Sequence, residues 1–562
     1  MKRKSKLLQS MLLPVLGFVL VYFATPIEWD HYDGLEASLK AGIGSDFRIK
    51  ETYIYSYWLI TYAIVPLQQY FINTPVITLF TLVVFFISYS FYTYACISDI
   101  PHKNHFYRLL IVLLLFVVML PAFAKLSKAG SSFMLTGLSL YCAAFYASAA
   151  SRQRQKIGIV FICTLLFALG YLIRIESAFG ATLIVGLYIA IIKIKEPKTL
   201  LYIAPLLLSG LILTILIFNT MNRIPFLKAT EPALYYLADG VYRPPIEKNH
   251  TAVDSMKILA ISSFFLNDSK ELSIDFINKA AAEKLSLEKT QEIKLIDRVK
   301  IAWQIAKPTV SYHYQYLVMC ILLIVLAVFY FRSQSTPLIV FNILFWLITF
   351  SLAYLVKLED RHYIYMSQLM IFCNLQFLLQ KKFFNPSLYN GLLILLIAVL
   401  GICIHHYSRL VLKSSALKKE LQIRTLAEKE IDEVARGKYL FFDNNAIELY
   451  RSHIFDIRKF SGANRLLFFD MGQMPIMPEY KAYLDETCNC NSRDLKQFLK
   501  WMIRHQNEIV IVSSLSRTNF VSSYIKIVCN SSIIYKPFDK KYALQKVKLN
   551  SNSLNYFTIG EE

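Results

Sequence analysis

TPIEWDHYDGLEASLKAGIGSDFRIK, residues 25–50, follows the first apolar run of the chain and places Glu28, Asp30 and Asp33 within six residues. Acidic groups are costly to hold against a bilayer, so carboxylates gathered at the mouth of a membrane helix point to a site. The preceding run, residues 7–24, is apolar and is introduced by Lys2, Arg3, Lys4 and Lys6. Basic residues flanking a membrane helix mark its cytoplasmic side. The N-terminus is therefore expected inside and the acidic stretch outside. No small-residue cleavage site precedes the acidic stretch, so the first run is expected to be retained as a span.

Working outward, the 562 residues are 56% hydrophobic. Apolar runs of about 16–22 residues recur until roughly residue 404, a pattern that a soluble domain does not tolerate. The net charge of +21 would suit a nucleic-acid binder. That class is excluded because much of the excess sits in short loops between apolar runs, where it sets orientation. Of the nine cysteines, Cys96, Cys142, Cys163, Cys320, Cys373 and Cys403 lie in apolar runs and read as packing residues. Cys488, Cys490 and Cys529 lie in the tail; a disulfide from Cys529 to either partner is open outside the cytoplasm, and three cysteines make no zinc set.

The stretch YIYSYWLITYAIVPLQQYFI, residues 53–72, is apolar and aromatic enough to span. If it crossed, SRQRQK (151–156) and KIKEPK (193–198) would both fall outside. Placed in the outer interface, where Tyr and Trp are at home, it leaves both inside. That choice predicts about eleven spans. Lys and Arg then dominate the inner segments, with only Asp99 and Glu196 opposing them. The outer face carries the loop 25–74, the turn KLSKAGSS (125–132), a long loop at 219–311 and the charged turn KLEDRH (357–362). Within the long loop, residues 293–306 read as an amphipathic helix ending at Lys307-Pro308.

From about residue 411 the chain changes character. A polar helical stretch (414–436) is followed by short apolar runs at 439–442, 466–469, 509–512 and 533–535, with helical segments such as 493–505 between them. This alternation predicts a small α/β domain. The expected architecture is an α-helical polytopic membrane domain over 1–410, with juxtamembrane helices, and a C-terminal extracytoplasmic α/β domain over 411–562.

Three features of the outer face suit one reaction. Sugar transfer from a lipid phosphate needs a carboxylate to take the acceptor hydroxyl proton. It also needs cations to steady the departing phosphate. The acidic cluster offers the base. YLIRIESAFG (171–180) offers Arg174 beside Glu176, and the 357–362 turn offers Lys357, Arg361 and His362. The bland alternatives are a turn at Asp33-Gly34, a structural ion pair at Arg174 and a solvated turn in which Arg361 snorkels. His31 and His362 are expected to hydrogen-bond rather than to ligate metal.

The layout resembles the C-type (GT-C) glycosyltransferase superfamily, the polyprenyl-phosphate-sugar-dependent membrane enzymes of bacterial surface glycosylation. EWDHYDG resembles that family's acidic motif after span one, with Asp30 at the matching position and Asp33 and Glu28 as close competitors. YLIRIESAFG resembles its mid-chain basic–acidic segment. KLEDRHYIYM resembles its late turn, where Arg361 would contact donor phosphate. The resemblance implies a bacterial inner-membrane enzyme with a lipid-linked sugar donor, a glycan, glycolipid or other hydroxyl acceptor, and inversion at the anomeric carbon. Many members carry a second acidic residue in the turn after span three. KLSKAGSS has none, so a metal-independent route is expected and no cofactor is assigned. Two rivals stand beside this reading. An O-antigen-type polymerase or ligase would concentrate function in basic outer loops. A lipid or glycan transporter would place charge in mid-span.

Overall fold

The computed structural model describes residues 2–24, 28–29, most of 64–98, 105–123, 125–193, 196–221, 251–290 apart from two positions, 295–355, 360–380, 386–443, 465–468, 478–538, 542–549 and 552–561, with a few isolated positions elsewhere. It is a helical bundle with a small sheet at its C-terminal end. The bundle begins with α1 (Lys2–Ala24), a two-residue strand β1 (Glu28–Trp29), α2 (Val76–Ser98) and α3 (His105–Phe123). A second short strand, β2 (Lys125–Leu126), leads to α4 (Lys128–Cys142), which continues as a π-helical turn, Ala143–Ala147. Then come α5 (Gln153–Ile173), α6 (Ile175–Lys193) and α7 (Lys198–Met221). The segment between halves holds α8 (Ala252–Ser262), α9 (Ile274–Thr290) and α10 (Leu295–Tyr312). The bundle closes with α11 (Tyr314–Phe331), α12 (Thr336–Leu355), α13 (Asp360–Gln380) and α14 (Pro386–Val434).

Among the described residues, six helices have the length and hydropathy to cross a membrane: Lys6–Ala24, Val76–Ser98, Gln153–Ile173, Ile175–Lys193, Lys198–Asn219 and Tyr314–Phe331. Ile111–Phe123 and Thr336–Ser351 are apolar but shorter. The expected count of about eleven is therefore not reached. Two of the helices outside the six, α4 and α13, differ for a physical reason. Every residue of α4 is buried, and it packs against α2, α5, α6 and α13. A helix enclosed by others meets protein rather than lipid, so it need be neither long nor uniformly apolar.

Small residues let α4 sit this close to its neighbours. A Cβ on Gly137 would lie 2.6 Å from Leu369 Cδ1, and Gly170 of α5 lies against Thr136. Helix α13 supplies the polar links. Tyr89 Oη donates to Gln368 Oε1 at 2.7 Å, and Gln368 Nε2 donates to Val118 O at 2.9 Å. Asn342 and Asn374 exchange amide hydrogen bonds of 2.9 and 3.0 Å, and Tyr141 Oη reaches Gln376 Oε1 at 3.2 Å. Such side-chain bonds join helices where the hydrophobic effect cannot.

The helices alternate in direction, which defines two ends. At one end Lys6 Nζ donates to Ser98 O at 3.1 Å, Tyr146 Oη donates to Ala95 O at 2.8 Å, and Lys156 Nζ reaches Tyr202 Oη at 3.4 Å. The opposite end holds β1, β2, the α5–α6 break, the α8–α10 segment and the start of α13. The amphipathic helix expected to stop at Lys307-Pro308 instead runs through Pro308 to Tyr312, and the chain breaks at His313.

Helix α14 has 49 residues. At about 1.5 Å per residue it is roughly 70 Å long, more than twice a hydrocarbon core. It crosses residue 411 unbroken and ends in the α/β unit, where Glu430 Oε1 accepts from Tyr556 Oη at 3.0 Å and from Leu544 N at 3.3 Å. That unit contains β3 (Tyr439–Phe442), β4 (Arg465–Phe468), α15 (Pro478–Cys488), α16 (Leu495–Arg504), β5 (Ile509–Ser514), α17 (Leu515–Val528), β6 (Ile533–Pro537), β7 (Lys548–Leu549) and β8 (Asn552–Glu561). Strand order is β4-β3-β5-β8-β6, with β7 pairing β8; β4, β3 and β5 run parallel and β8 antiparallel to both neighbours. All of β5 is buried, which explains its unbroken IVIV run. Helix α16 turns Leu495, Phe498, Leu499 and Met502 inward at helical spacing.

The α8–α9 segment docks on this unit. Arg517 Nη2 donates to Ser263 O at 3.4 Å, and its guanidinium lies over Phe265 and Phe520. Lys270 Nζ pairs with Asp494 Oδ2 at 3.4 Å. Asp268 is buried and accepts from Tyr524 Oη at 3.4 Å and Cys529 Sγ at 3.7 Å. Burial raises the Asp268 carboxyl above its usual range. Burial and Asp268 together push the Cys529 thiol up to about 12. Cys529 is thus committed to Asp268, whereas the Cys490 thiol donates to Cys488 Sγ. The pairing left open for Cys529 is not the one the fold favours.

Candidate functional site

Arg174 is the one residue between α5 and α6. Its backbone is extended, φ −158° and ψ 107°, and its side chain is buried. The break is held from three sides. Arg174 N donates to Gly170 O at 3.1 Å, and Ala178 N donates to Arg174 O at 3.0 Å. Ser132 Oγ, in the first turns of α4, donates to both Gly170 O (2.7 Å) and Arg174 O (2.9 Å). The serine adds a side-chain bond to two carbonyls that already accept from backbone N–H groups, and so ties the break to α4. Arg174 Nε lies 3.6 Å from Glu176 Oε2, and Glu176 is 57% exposed. An ion pair with one partner so open to solvent holds Arg174 weakly.

The start of α4 is also where Glu28 and Trp29 meet the bundle. Strand β1 pairs parallel with β2, with Glu28 opposite Lys125 and Trp29 opposite Leu126. Ser127 then caps α4, accepting from Gly130 N at 3.1 Å. The cap is followed by Lys128, whose side chain is buried. On the same turn Gly130 meets the ring of Tyr365, one helical turn beyond Arg361 in α13. The turn KLSKAGSS is therefore the meeting point of β1, the Arg174 break and the first turns of α13.

Of the residues read from sequence, Arg174, Glu28, Arg361 and His362 are brought to this one end. Glu28 is placed by its strand pairing, Arg361 by its position as second residue of α13, and His362 is partly buried. Asp30, Asp33 and Lys357 lie outside the described residues, as does most of 53–72. Sequence reading gave too little weight to Lys125 and Lys128, treated there as a short turn, and did not single out His313. His313 is the break between α10 and α11. It is buried, 4.7 Å edge-on to Tyr312, with the rings of Tyr316 and Tyr363 at 6.3 and 6.4 Å. Its signal was the alternation YHYQY (312–316) at the entry of an apolar run.

Among the described residues no three His, Cys, Asp or Glu side chains gather as a metal site. Of the cations at this end, Lys128 and Arg174 are buried, while Lys125 and Arg361 are placed by backbone position in β2 and α13. Such a set suits a phosphate, which Arg grips with two parallel donors and Lys as a point charge. No family model, characterised protein or solved structure matches the chain. The functional reading therefore rests on this end of the bundle and on the motifs that lie there.

Proposed function

We propose that this chain is an integral membrane glycosyltransferase of the GT-C type, taking a sugar from a polyprenyl-phosphate donor to a hydroxyl acceptor on a lipid-linked glycan. The observation that carries the reading is the β1–β2 pairing. It sets the residues just before Asp30 beside the Lys125–Lys128 turn, next to Arg174 and the start of α13. In this reading eleven helices cross the inner membrane, with the N-terminus cytoplasmic. The end holding β1, the α8–α10 segment and the α/β unit is extracytoplasmic. The basic residues at the opposite end, among them Lys6, Arg152, Arg154, Lys156 and Lys193, support that orientation.

The chemistry follows from the charges. Asp30 takes the acceptor hydroxyl proton as the acceptor oxygen attacks the anomeric carbon, with Asp33 and Glu28 as the other carboxylates within reach in sequence. The bond to the phosphate oxygen breaks on the opposite face, so configuration inverts. Arg361, Arg174, Lys357 and His362 hold the departing polyprenyl phosphate, which leaves without protonation.

The test is sugar transfer by reconstituted wild type and Asp30→Asn, with labelled polyprenyl-phosphate sugars and a glycolipid extract, donor binding being followed in parallel. Transfer is expected to fall about a thousandfold in Asp30→Asn with binding kept. Equal rates move the base to Asp33 or Glu28. A wild type that transfers from no donor sinks the enzyme reading and leaves the polymerase and the transporter.

A further inference from the structure

Helix α15 ends at Cys488, and the next residue, Asn489, has φ +44°. Asn is the non-glycine residue that best accepts this left-handed conformation, which is the usual way a helix is turned off its axis. The consequence is local. Chain reversal at Asn489 brings Cys490 back over the helix end, where its backbone N–H and its thiol both reach Cys488 Sγ. Cys488 Sγ in turn donates to Leu484 O at 2.8 Å. Two Cα atoms two residues apart in such a turn are roughly 5.5 Å apart, inside the range a disulfide bridges.

The third tail cysteine does not compete. Cys529 is buried against the α8–α9 segment and bonded to Asp268. Nor is the Cys488 turn an isolated loop. Ser492 N donates to Asp485 Oδ1 at 2.6 Å and Ser492 Oγ to Lys481 O at 3.4 Å, closing the turn on α15. Two residues on, Asp494 caps α16 and receives Lys270 from the α8–α9 segment. The turn thus belongs to the seam along which that segment docks.

We infer that Cys488 and Cys490 are a thiol-modification site, forming a reversible disulfide with each other by exchange with an external disulfide. Cys490 is the more exposed of the two and reacts first in the exchange. Its thiolate attacks one sulfur of the incoming disulfide, breaking that S–S bond and releasing one thiolate. Cys488 Sγ then attacks the Cys490 sulfur of the mixed disulfide and releases the second. Two protein S–H bonds are lost, one S–S bond forms, and the two protons go to the two departing thiolates. Burial raises both thiols above their usual range, so the exchange speeds up as pH rises. A bridge spanning one intervening residue is strained, and strained bridges are the readily reduced ones.

The experiment uses the full-length protein in lipid discs, incubated with glutathione disulfide, then denatured, treated with N-ethylmaleimide, digested and weighed by mass spectrometry. The fragment carrying Cys488 and Cys490 is expected two hydrogens lighter than its dithiol form. It should take no maleimide until reduced, whereas Cys529 takes one. In Cys490→Ser the oxidised protein is expected to keep Cys488 open to maleimide or to carry glutathione on it. Uptake of two maleimides by the wild-type fragment after oxidation overturns the inference, and so does a bridge from Cys529 to Cys488 or Cys490. Neither result depends on whether the protein transfers sugar.

Discussion

The ring of Tyr365 fills the space where a β-carbon on Gly130 would stand. That single contact fixes the distance between the first turn of α4 and the second turn of α13, and hence between the Lys128 and Arg361 positions. Gly130→Ala would force the helices apart or displace the ring. Overpacking of this kind costs about 1–3 kcal/mol. A lower unfolding temperature in detergent is expected, together with weaker donor binding, and Tyr365→Leu added to the variant should recover part of the lost stability.

Gln368, in α13, joins three other helices through Tyr89 Oη, Val118 O and Tyr316 Oη. Gln368→Leu would remove its bonds to two hydroxyls and a carbonyl in the bundle interior. Individual interhelical bonds in membranes are worth about 0.6 kcal/mol, so the loss of three should cost on the order of 2 kcal/mol. Tyr89→Phe should cost less. Because both changes break the same bond, the double variant is expected to fall short of the sum in a thermal or denaturant cycle.

Arg174 is the cation whose position the fold specifies most closely, through Ser132 and the two helix ends beside it. Charge-assisted hydrogen bonds are worth about 1.5–3 kcal/mol. Arg174→Met should therefore weaken donor affinity roughly 10–100-fold, with Arg174→Lys in between because it loses the planar fork. Glu176→Gln is expected to leave affinity nearly unchanged. Titrating each variant with labelled donor checks all three.

Lys481 is buried in the α/β unit, and that burial, with Arg493 beside it, lowers its pKa from 10.5 to about 8 against the pull of Asp485 and Asp268. Between these two values the unfolded chain binds more protons than the folded one. The Lys481 contribution to stability should therefore rise as pH goes from about 8 to about 10.5 and stay constant below pH 8, while the raised thiols of Cys488, Cys490 and Cys529 pull the other way above about pH 9. The difference between wild type and Lys481→Met isolates the Lys481 contribution, and it should grow in favour of wild type from about pH 8 to about 10.5. Unfolding followed by the fluorescence of buried Trp501 across that range decides the matter.

Hydropathy made the helical bundle legible, and four strands of the α/β unit stood out as runs such as YLFF and IVIV. Strand β8 did not, although Leu554, Tyr556, Phe557 and Ile559 are all buried. Asn, Thr and Gly interleave with them, and its place in the sheet depends on partners far away in sequence. The enclosed helices misled in the other direction. Gln368, Asn374 and Gln376 lower the hydropathy of α13 because they face other helices, a fact no single-chain window can register. The site was legible as separate motifs. What joined them was a two-residue pairing, Glu28 with Lys125, and a serine bonded to two carbonyls, neither of which has a periodic signature.

Helix α14 ties the bundle and the α/β unit to a common angular phase. One residue added within its polar stretch would swing the unit by about 100°. That swing would take Asp494, Arg517 and Tyr524 away from Lys270, Ser263 and Asp268. Seven added residues would bring the same face round again to within about 20°, but lifted by roughly 10 Å. Neither change keeps the seam closed. The length of this helix is therefore as constrained as any side chain in the seam.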